Sequence, residues 1–93
     1  MGLNKYAKRR DKNESQIVYA LRLRGADVDL LDRPVDLLIG YQGVTVLAEI
    51  KAPRTEPTPT QLVWLKDWQG GRRTVLKTVD DAHALLEDIE ATK

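Results

Sequence analysis

The sequence predicts one α/β domain, residues 1–93, with the element order helix, three strands, helix, strand, helix. Three observations support this fold class. Segment 34–51 is apolar and β-branched on both sides of a Gln-Gly pair, which is typical of a β-hairpin. Stretches with helical spacing precede and follow this hairpin, and each begins at a residue type that caps helices. A short β-branched segment between the last two helices supplies the fourth strand.

The first helix is predicted from Asn13 to about Arg24. Asn13 belongs to the residue types that cap helix N-termini, and Gly25 is a typical stop after the last turn. Glu14 falls in the first turn, where a carboxylate interacts favourably with the helix dipole. Segment 26–31 then alternates polar and apolar residues, which indicates an edge strand.

The hairpin has two possible registers. If Gln42 and Gly43 form a two-residue loop, the numbers of opposed residues sum to 85, and Asp36 lies opposite Glu49. A three-residue loop, 41–43, would instead place the two acids on opposite faces. In the first register one face is wholly apolar and must be covered, with the members Val35, Leu37, Ile39, Tyr41, Val44, Val46, Ala48 and Ile50.

The other face of the hairpin gathers its charges at the end away from the turn. Two opposed carboxylates repel by about 3 kcal/mol at an effective dielectric near 20. Protonation of one acid, a bridge from Lys51, or a bound divalent cation would each offset this repulsion. The cation explains most, because Mg²⁺ prefers one or two carboxylates together with waters and phosphate oxygens. The rival acids are expected to be solvent-facing or turn residues: Asp27, Asp29 and Asp32.

An Asp, a hairpin and then Glu-x-Lys resembles the PD-(D/E)xK nuclease superfamily, with Asp36, Glu49 and Lys51 in the motif positions. Two flanking features narrow the resemblance: Asn13 and Glu14 open the first helix, and segment 58–61, Thr-Pro-Thr-Gln, opens the helix after the motif. With them the chain is similar to the virus-type replication-repair nuclease (VRR-NUC) family in its short stand-alone form. The similarity runs from about residue 13 to the last helix. One departure is Val35, which separates Pro34 from Asp36, whereas the family has proline directly before the acid.

The resemblance implies a restriction-endonuclease-like sandwich, with a central mixed sheet flanked by helices. It also implies a Mg²⁺- or Mn²⁺-dependent endonuclease that hydrolyses phosphodiester bonds in DNA. The implied catalytic residues are Asp36, Glu49, Lys51 and Gln61. The implied metal ligands are Glu14, Asp36, Glu49 and the backbone carbonyl of Ile50.

The resemblance further implies a homodimer acting on branched DNA such as four-way (Holliday) junctions, because stand-alone members of the family act in this way. Two other classes of function stay open. One is a non-catalytic module that has a nuclease-like fold and binds nucleic acid. The other is a protein-interaction module without affinity for nucleic acid.

Charge is distributed unevenly along the chain, although the net charge is only +1. The N-terminal part is basic and the last helix is acidic, so phosphate is expected to meet the basic part. Residues 1–12 are expected to form a basic arm, which either contacts nucleic acid or is a solvated terminus. The expected nucleic-acid contacts are Lys5, Lys8, Arg9, Arg10 and Lys12 in the arm, and Arg54 in the proline-rich loop.

The C-terminal half of the sequence is predicted to form the fourth strand, 72–76, with one helix before it and one after it. Thr58 caps a helix with Pro59 at its first position, which ends near Trp68. Its tryptophans are expected in the core, with stacking on bases as the alternative. Thr78 caps the last helix, which runs to about residue 90 and faces the core with Ala82, Leu85, Leu86 and Ile89. His83 is expected at the surface, without a chemical role.

Composition excludes several classes of protein. The chain has no cysteine, so it has no disulfide, thiolate nucleophile or cysteine zinc site, and its single histidine excludes a His-rich metal site. No apolar run approaches the roughly 20 residues that a membrane span needs. We expect a cytoplasmic protein, encoded by a bacterium or a phage, with no small-molecule cofactor besides the metal.

Overall fold

The computed structural model describes residues 11–92. The elements are α1 (Glu14–Leu23), β1 (Asp27–Leu30), β2 (Leu37–Tyr41), β3 (Val44–Ile50), α2 (Pro59–Asp67), β4 (Arg72–Leu76) and α3 (Val79–Ala91). The strands form one mixed sheet in the order β1-β2-β3-β4, with antiparallel pairing except between β3 and β4, which are parallel. The predicted fold class and element order are thereby confirmed. Within residues 11–92, none of the helices has the length and apolar character needed to cross a membrane.

The hairpin closes through a two-residue loop, as the first of the two registers requires. Gln42 and Gly43 have φ angles of 49° and 81°, and two positive φ angles are the mark of a type I′ turn. Tyr41 pairs with Val44 at the turn, and the same register continues along β2 and β3. The alternation of side chains therefore follows the prediction, and the two acids lie at the far end of the hairpin.

The expected opposition of Asp36 and Glu49 is not part of the ladder, which is a correction to the predicted register at its last step. The regular pairing ends at Leu37 and Ala48. The backbone N–H of Asp36 donates to the carbonyl of Ala48 at 3.1 Å, one residue away from the partner that the register assigns. On its other side Asp36 continues the pairing of β1 with β2, because the N–H of Leu31 donates to the carbonyl of Asp36 at 2.7 Å in the same register. The pairing shifts by one residue only on the β3 side, as at a β-bulge.

The core lies on the wholly apolar face of the hairpin. Side chains of α1 and α3 complete it, and every member of the predicted face is buried except Val44, which is partly buried. The largest wholly buried side chains are Ile17, Leu21, Leu37, Ile39, Ile50, Leu76, Leu86 and Ile89. The core therefore fixes α1 and α3 to one face of the sheet.

Helix α2 lies against the opposite face, over β3 and β4. Glu49 and Arg73 alternate with the core residues of their strands, and both contact α2. None of the residues of α2 is buried. The prediction that Trp64 and Trp68 belong to the core was wrong: both are half-buried and stack on each other with ring centroids 5.2 Å apart. Helix α2 lies outside the core cluster, which α1, α3 and the sheet form without it.

The helix caps were predicted correctly at Thr58 and Thr78 and wrongly at Asn13. Each threonine accepts a hydrogen bond from the third helical residue in a reciprocal capping box. Asn13 has helical backbone angles and makes no side-chain cap. Its Nδ2 instead donates to the carbonyls of Lys51 and Lys77, at 2.9 and 2.7 Å. Asn13 therefore joins the start of α1 to the chain just after β3 and β4.

Candidate active site

Asp36 is a buried carboxylate whose orientation is set by β3. Its side chain is next to the buried Val35, and the residue is only 8% exposed. Oδ2 accepts the backbone N–H of Ile50 at 2.7 Å. This hydrogen bond fixes the direction of the carboxylate. The extra Val35 of the sequence motif is thus accommodated in the core, and the acid still lies beside β3.

Glu49 is the second buried carboxylate and is 3% exposed. Its Oε2 accepts a hydrogen bond from Nε2 of Gln61 at 2.7 Å and lies 3.5 Å from Nζ of Lys51. Because both donors reach the same oxygen, the side chain is oriented by one neutral and one cationic group. The predicted catalytic residues Glu49, Lys51 and Gln61 therefore lie in direct contact.

The capping box of α2 determines which way the Gln61 amide points. Oε1 of Gln61 accepts the backbone N–H of Thr58 at 2.9 Å, while the backbone N–H of Gln61 donates to Oγ1 of Thr58 at 3.2 Å. A backbone N–H can only donate, so the amide oxygen must face Thr58 and the NH₂ group must face Glu49. A local helix-capping interaction thereby supplies the donor for a buried carboxylate 12 residues earlier.

Lys51 is held by the backbone on both sides of its Cα. Its N–H donates to the carbonyl of Leu76 at 3.1 Å, and its own carbonyl accepts Nδ2 of Asn13 at 2.9 Å. The side chain is only 15% exposed and points its ammonium group at Glu49. This role of Asn13 was not predicted, because an asparagine at this position is equally typical of a helix cap.

Glu14 is buried at 4% exposure, in the first turn of α1 directly after Asn13. Among residues 11–92, however, His, Cys, Asp and Glu side chains do not come together in any group of three or more that could hold a metal ion. Glu14 is therefore not assembled with Asp36 and Glu49 into such a group, and its role as a further ligand stays a prediction. So does that of the Ile50 carbonyl.

The described candidates for nucleic-acid contact, Lys12 and Arg54, are both exposed. The rival acids of the sequence analysis are exposed as well: Asp27, Asp29 and Asp32. His83 is half-buried and faces Arg24, with Nδ1 3.1 Å from NH1 of that residue, on the core side of the sheet. The remaining predicted contacts, Lys5, Lys8, Arg9 and Arg10, lie outside the described residues.

Two buried carboxylates, a lysine and an oriented amide thus lie at the end of the β-hairpin in an α/β domain. No protein-family model matches the chain, and no curated protein matches it. A solved structure described as a VRR_NUC domain does match, with a TM-score of 0.67 and 23% sequence identity. The match covers 83% of this chain and 97% of that one, so the chain has the fold of a VRR_NUC domain.

Proposed function

We propose that the protein is a metal-dependent endonuclease that hydrolyses phosphodiester bonds in branched DNA, such as four-way junctions, as a homodimer. Two features carry the proposal in a VRR_NUC fold: Glu49 contacts both Lys51 and Gln61, and the buried Asp36 accepts the N–H of Ile50, the residue that follows Glu49. Burying carboxylates is costly unless they are paired or hold a cation. Sites with such a cost are candidates for function.

The donor set suits Mg²⁺ or Mn²⁺. Both cations accept carboxylate oxygens, and Mg²⁺ binds through one or two carboxylates while it keeps waters and phosphate oxygens in its other positions. Asp36 and Glu49 would hold the ion, with Glu14 and the carbonyl of Ile50 as further proposed ligands. A bound divalent ion supplies Lewis acidity to the scissile phosphate and makes a bound water more acidic.

The residues of the chain then have separate tasks. Lys51 lies beside Glu49. Its ammonium group would orient the attacking water and balance the charge that develops on the phosphoryl oxygens, and only its neutral amine form could take a proton from that water. Gln61 holds Glu49 in one orientation. The N–H of Ile50 does the same for Asp36. The exposed Lys12 and Arg54 would contact the DNA backbone, and the basic residues within 1–10 are proposed to contribute further contacts.

The proposal is tested by incubating the protein with end-labelled four-way, flap and linear DNA, with and without Mg²⁺ or Mn²⁺. We expect Mg²⁺-dependent cleavage that favours the branched substrates. Lys51→Ala and Asp36→Asn should each lower the single-turnover rate by at least about a hundredfold, as expected for groups that stabilise developing charge. Circular dichroism checks that both variants fold.

Two outcomes would contradict the proposal. Lys51→Ala turning over at the wild-type rate would remove the role of this residue. Salt-sensitive DNA binding without cleavage under any of the metal conditions would favour the non-catalytic binding module instead.

A further inference from the structure

The sheet has one half of one face without a helix over it. In the part of the chain that the structure describes, α1 and α3 cover the core face, and α2 covers only β3 and β4 on the other face. We call the outward residues of β1 and β2 the open half-face: Asp27, Asp29, Leu38 and Gly40. The two acids are exposed, and the other two residues are half-buried.

Helix α2 exposes apolar side chains on the side that faces away from its own sheet. The side that faces its own sheet carries Gln61, Trp64, Leu65 and Trp68 at helical spacing. The outer side carries Leu62 and Val63, which are 51% and 58% exposed, together with the exposed Lys66 and Asp67. Within residues 11–92, the side chain of Lys66 takes part in none of the hydrogen bonds and ion pairs.

The register of the sheet puts Lys66 at the level of an acid. Asp29 pairs with Leu38, Leu38 with Leu47, and Leu47 with Arg73, so these four residues form one row across all four strands. Nε of Arg73 donates to the carbonyl of Leu65 at 2.8 Å, which brings α2 to the level of this row just before Lys66. Lys66 on the outer side of α2 and Asp29 on the open half-face therefore carry opposite charges at the same height along the strands.

We propose that a second copy of this chain covers the open half-face, with α2 of each copy packed on β1 and β2 of its partner. A twofold axis parallel to the strands would turn the α2 faces of the two sheets towards each other. The β1 edge of one copy then lies opposite the β4 edge of the other, and equivalent residues keep the same height along the strands. Lys66 of one copy then meets Asp29 of the second copy. Leu62 and Val63 meet Leu38, and each contact occurs twice.

The charges favour a protein occupant of this kind over nucleic acid, because Asp27 and Asp29 would repel phosphate. The homodimer itself belongs to the proposed function, and this inference deepens it by naming the surface. The same axis brings both pairs of acids, at the Asp36 and Glu49 end of the sheet, to one end of the dimer. A branched substrate could reach both sites there.

The test is sedimentation equilibrium of the whole chain and of charge variants. The wild type should be a dimer at micromolar concentration. Lys66→Glu and Asp29→Lys should each weaken association by about tenfold or more, as for a central interface residue. The double variant, which exchanges the two charges, should recover most of the loss. This recovery would not occur if either residue acted only within its own copy.

An apolar pair of variants provides the matched control. Val63→Asp should weaken the dimer at least as strongly, whereas Leu23→Asp should leave it unchanged. Leu23 is also an exposed aliphatic residue on a helix, at 71% exposure, but it lies on α1 and away from the proposed contact. A monomeric wild type, unchanged association in the Lys66 and Asp29 variants, or equal effects of Val63→Asp and Leu23→Asp would overturn the proposal.

A cleavage assay on the same samples separates this inference from the proposed function. A monomer that cuts DNA would overturn the interface and leave the nuclease intact. A dimer that responds to the charge variants as expected and cuts nothing would support the interface and count against the nuclease.

Discussion

Replacing Gln61 by Ala tests whether the capping box of α2 supports a buried carboxylate. The change removes the 2.7 Å hydrogen bond to Glu49 and the 2.9 Å bond to the N–H of Thr58. A hydrogen bond to a charged group contributes about 1.5–3 kcal/mol, and an ordinary one about 0.5–1.5 kcal/mol. Alanine itself is a good helix former. The expected loss in the free energy of unfolding is therefore about 2–4 kcal/mol.

The control for this prediction is Thr58→Ala, which removes the helix cap and leaves Glu49 with its amide partner. Loss of a threonine cap costs about 1 kcal/mol. Urea denaturation at neutral pH measures both variants, and Gln61→Ala should be the less stable by about 1–3 kcal/mol. If the two variants were equally stable, the contact between Gln61 and Glu49 would contribute nothing, and the reasoning would fail.

Two further predictions concern residues outside the acid pair. Asn13→Ala and Asn13→Asp should both destabilise the protein by about 1–3 kcal/mol in urea denaturation, since neither can donate to the carbonyls of Lys51 and Lys77. A fully stable Asn13→Asp would instead indicate a helix cap. The carboxylate of Glu90, which accepts the hydroxyl of Tyr41, raises the pKa of that hydroxyl above its ordinary 10.0. The folded state thus holds this proton more tightly, so the stabilisation is complete below pH 10.0 and is lost as the pH rises further. Spectrophotometric titration of the wild type should show one tyrosine that ionises at higher pH than the others. This high-pH ionisation should be missing in Tyr41→Phe, and its presence there would contradict the assignment.

The hairpin could be predicted because residues close together in the sequence determine its turn and its register. A glycine that tolerates positive φ, flanked by alternating apolar residues, leaves few registers, and the apolar face had to be buried. The acid pair followed from the same alternation. The last step of the predicted register was wrong at Asp36, whose N–H donates to the carbonyl of Ala48 while its own carbonyl stays in register with β1. The alternation within the hairpin carries no information about this pairing with a third strand.

The roles of Asn13 and of the tryptophans could not be predicted in the same way. The amide of Asn13 reaches carbonyls 38 and 64 residues away, and the local sequence carries no sign of these partners. Trp64 and Trp68 have the spacing of a core-facing helix, but α2 lies outside the core cluster and the two rings are only half-buried. Helical spacing shows which residues share a side, not how much of that side is covered.

Mg²⁺ binding to the buried acids is the central claim, and its most direct test is unfolding stability as a function of Mg²⁺ at constant ionic strength, for the wild type and for Glu49→Gln. A ligand that binds only the folded state at about 100 times its dissociation constant adds about 2.7 kcal/mol. We expect the wild type to gain stability with Mg²⁺ along such a saturation curve and Glu49→Gln to gain far less. Equal responses of the two proteins to Mg²⁺ would show that Glu49 does not hold the ion.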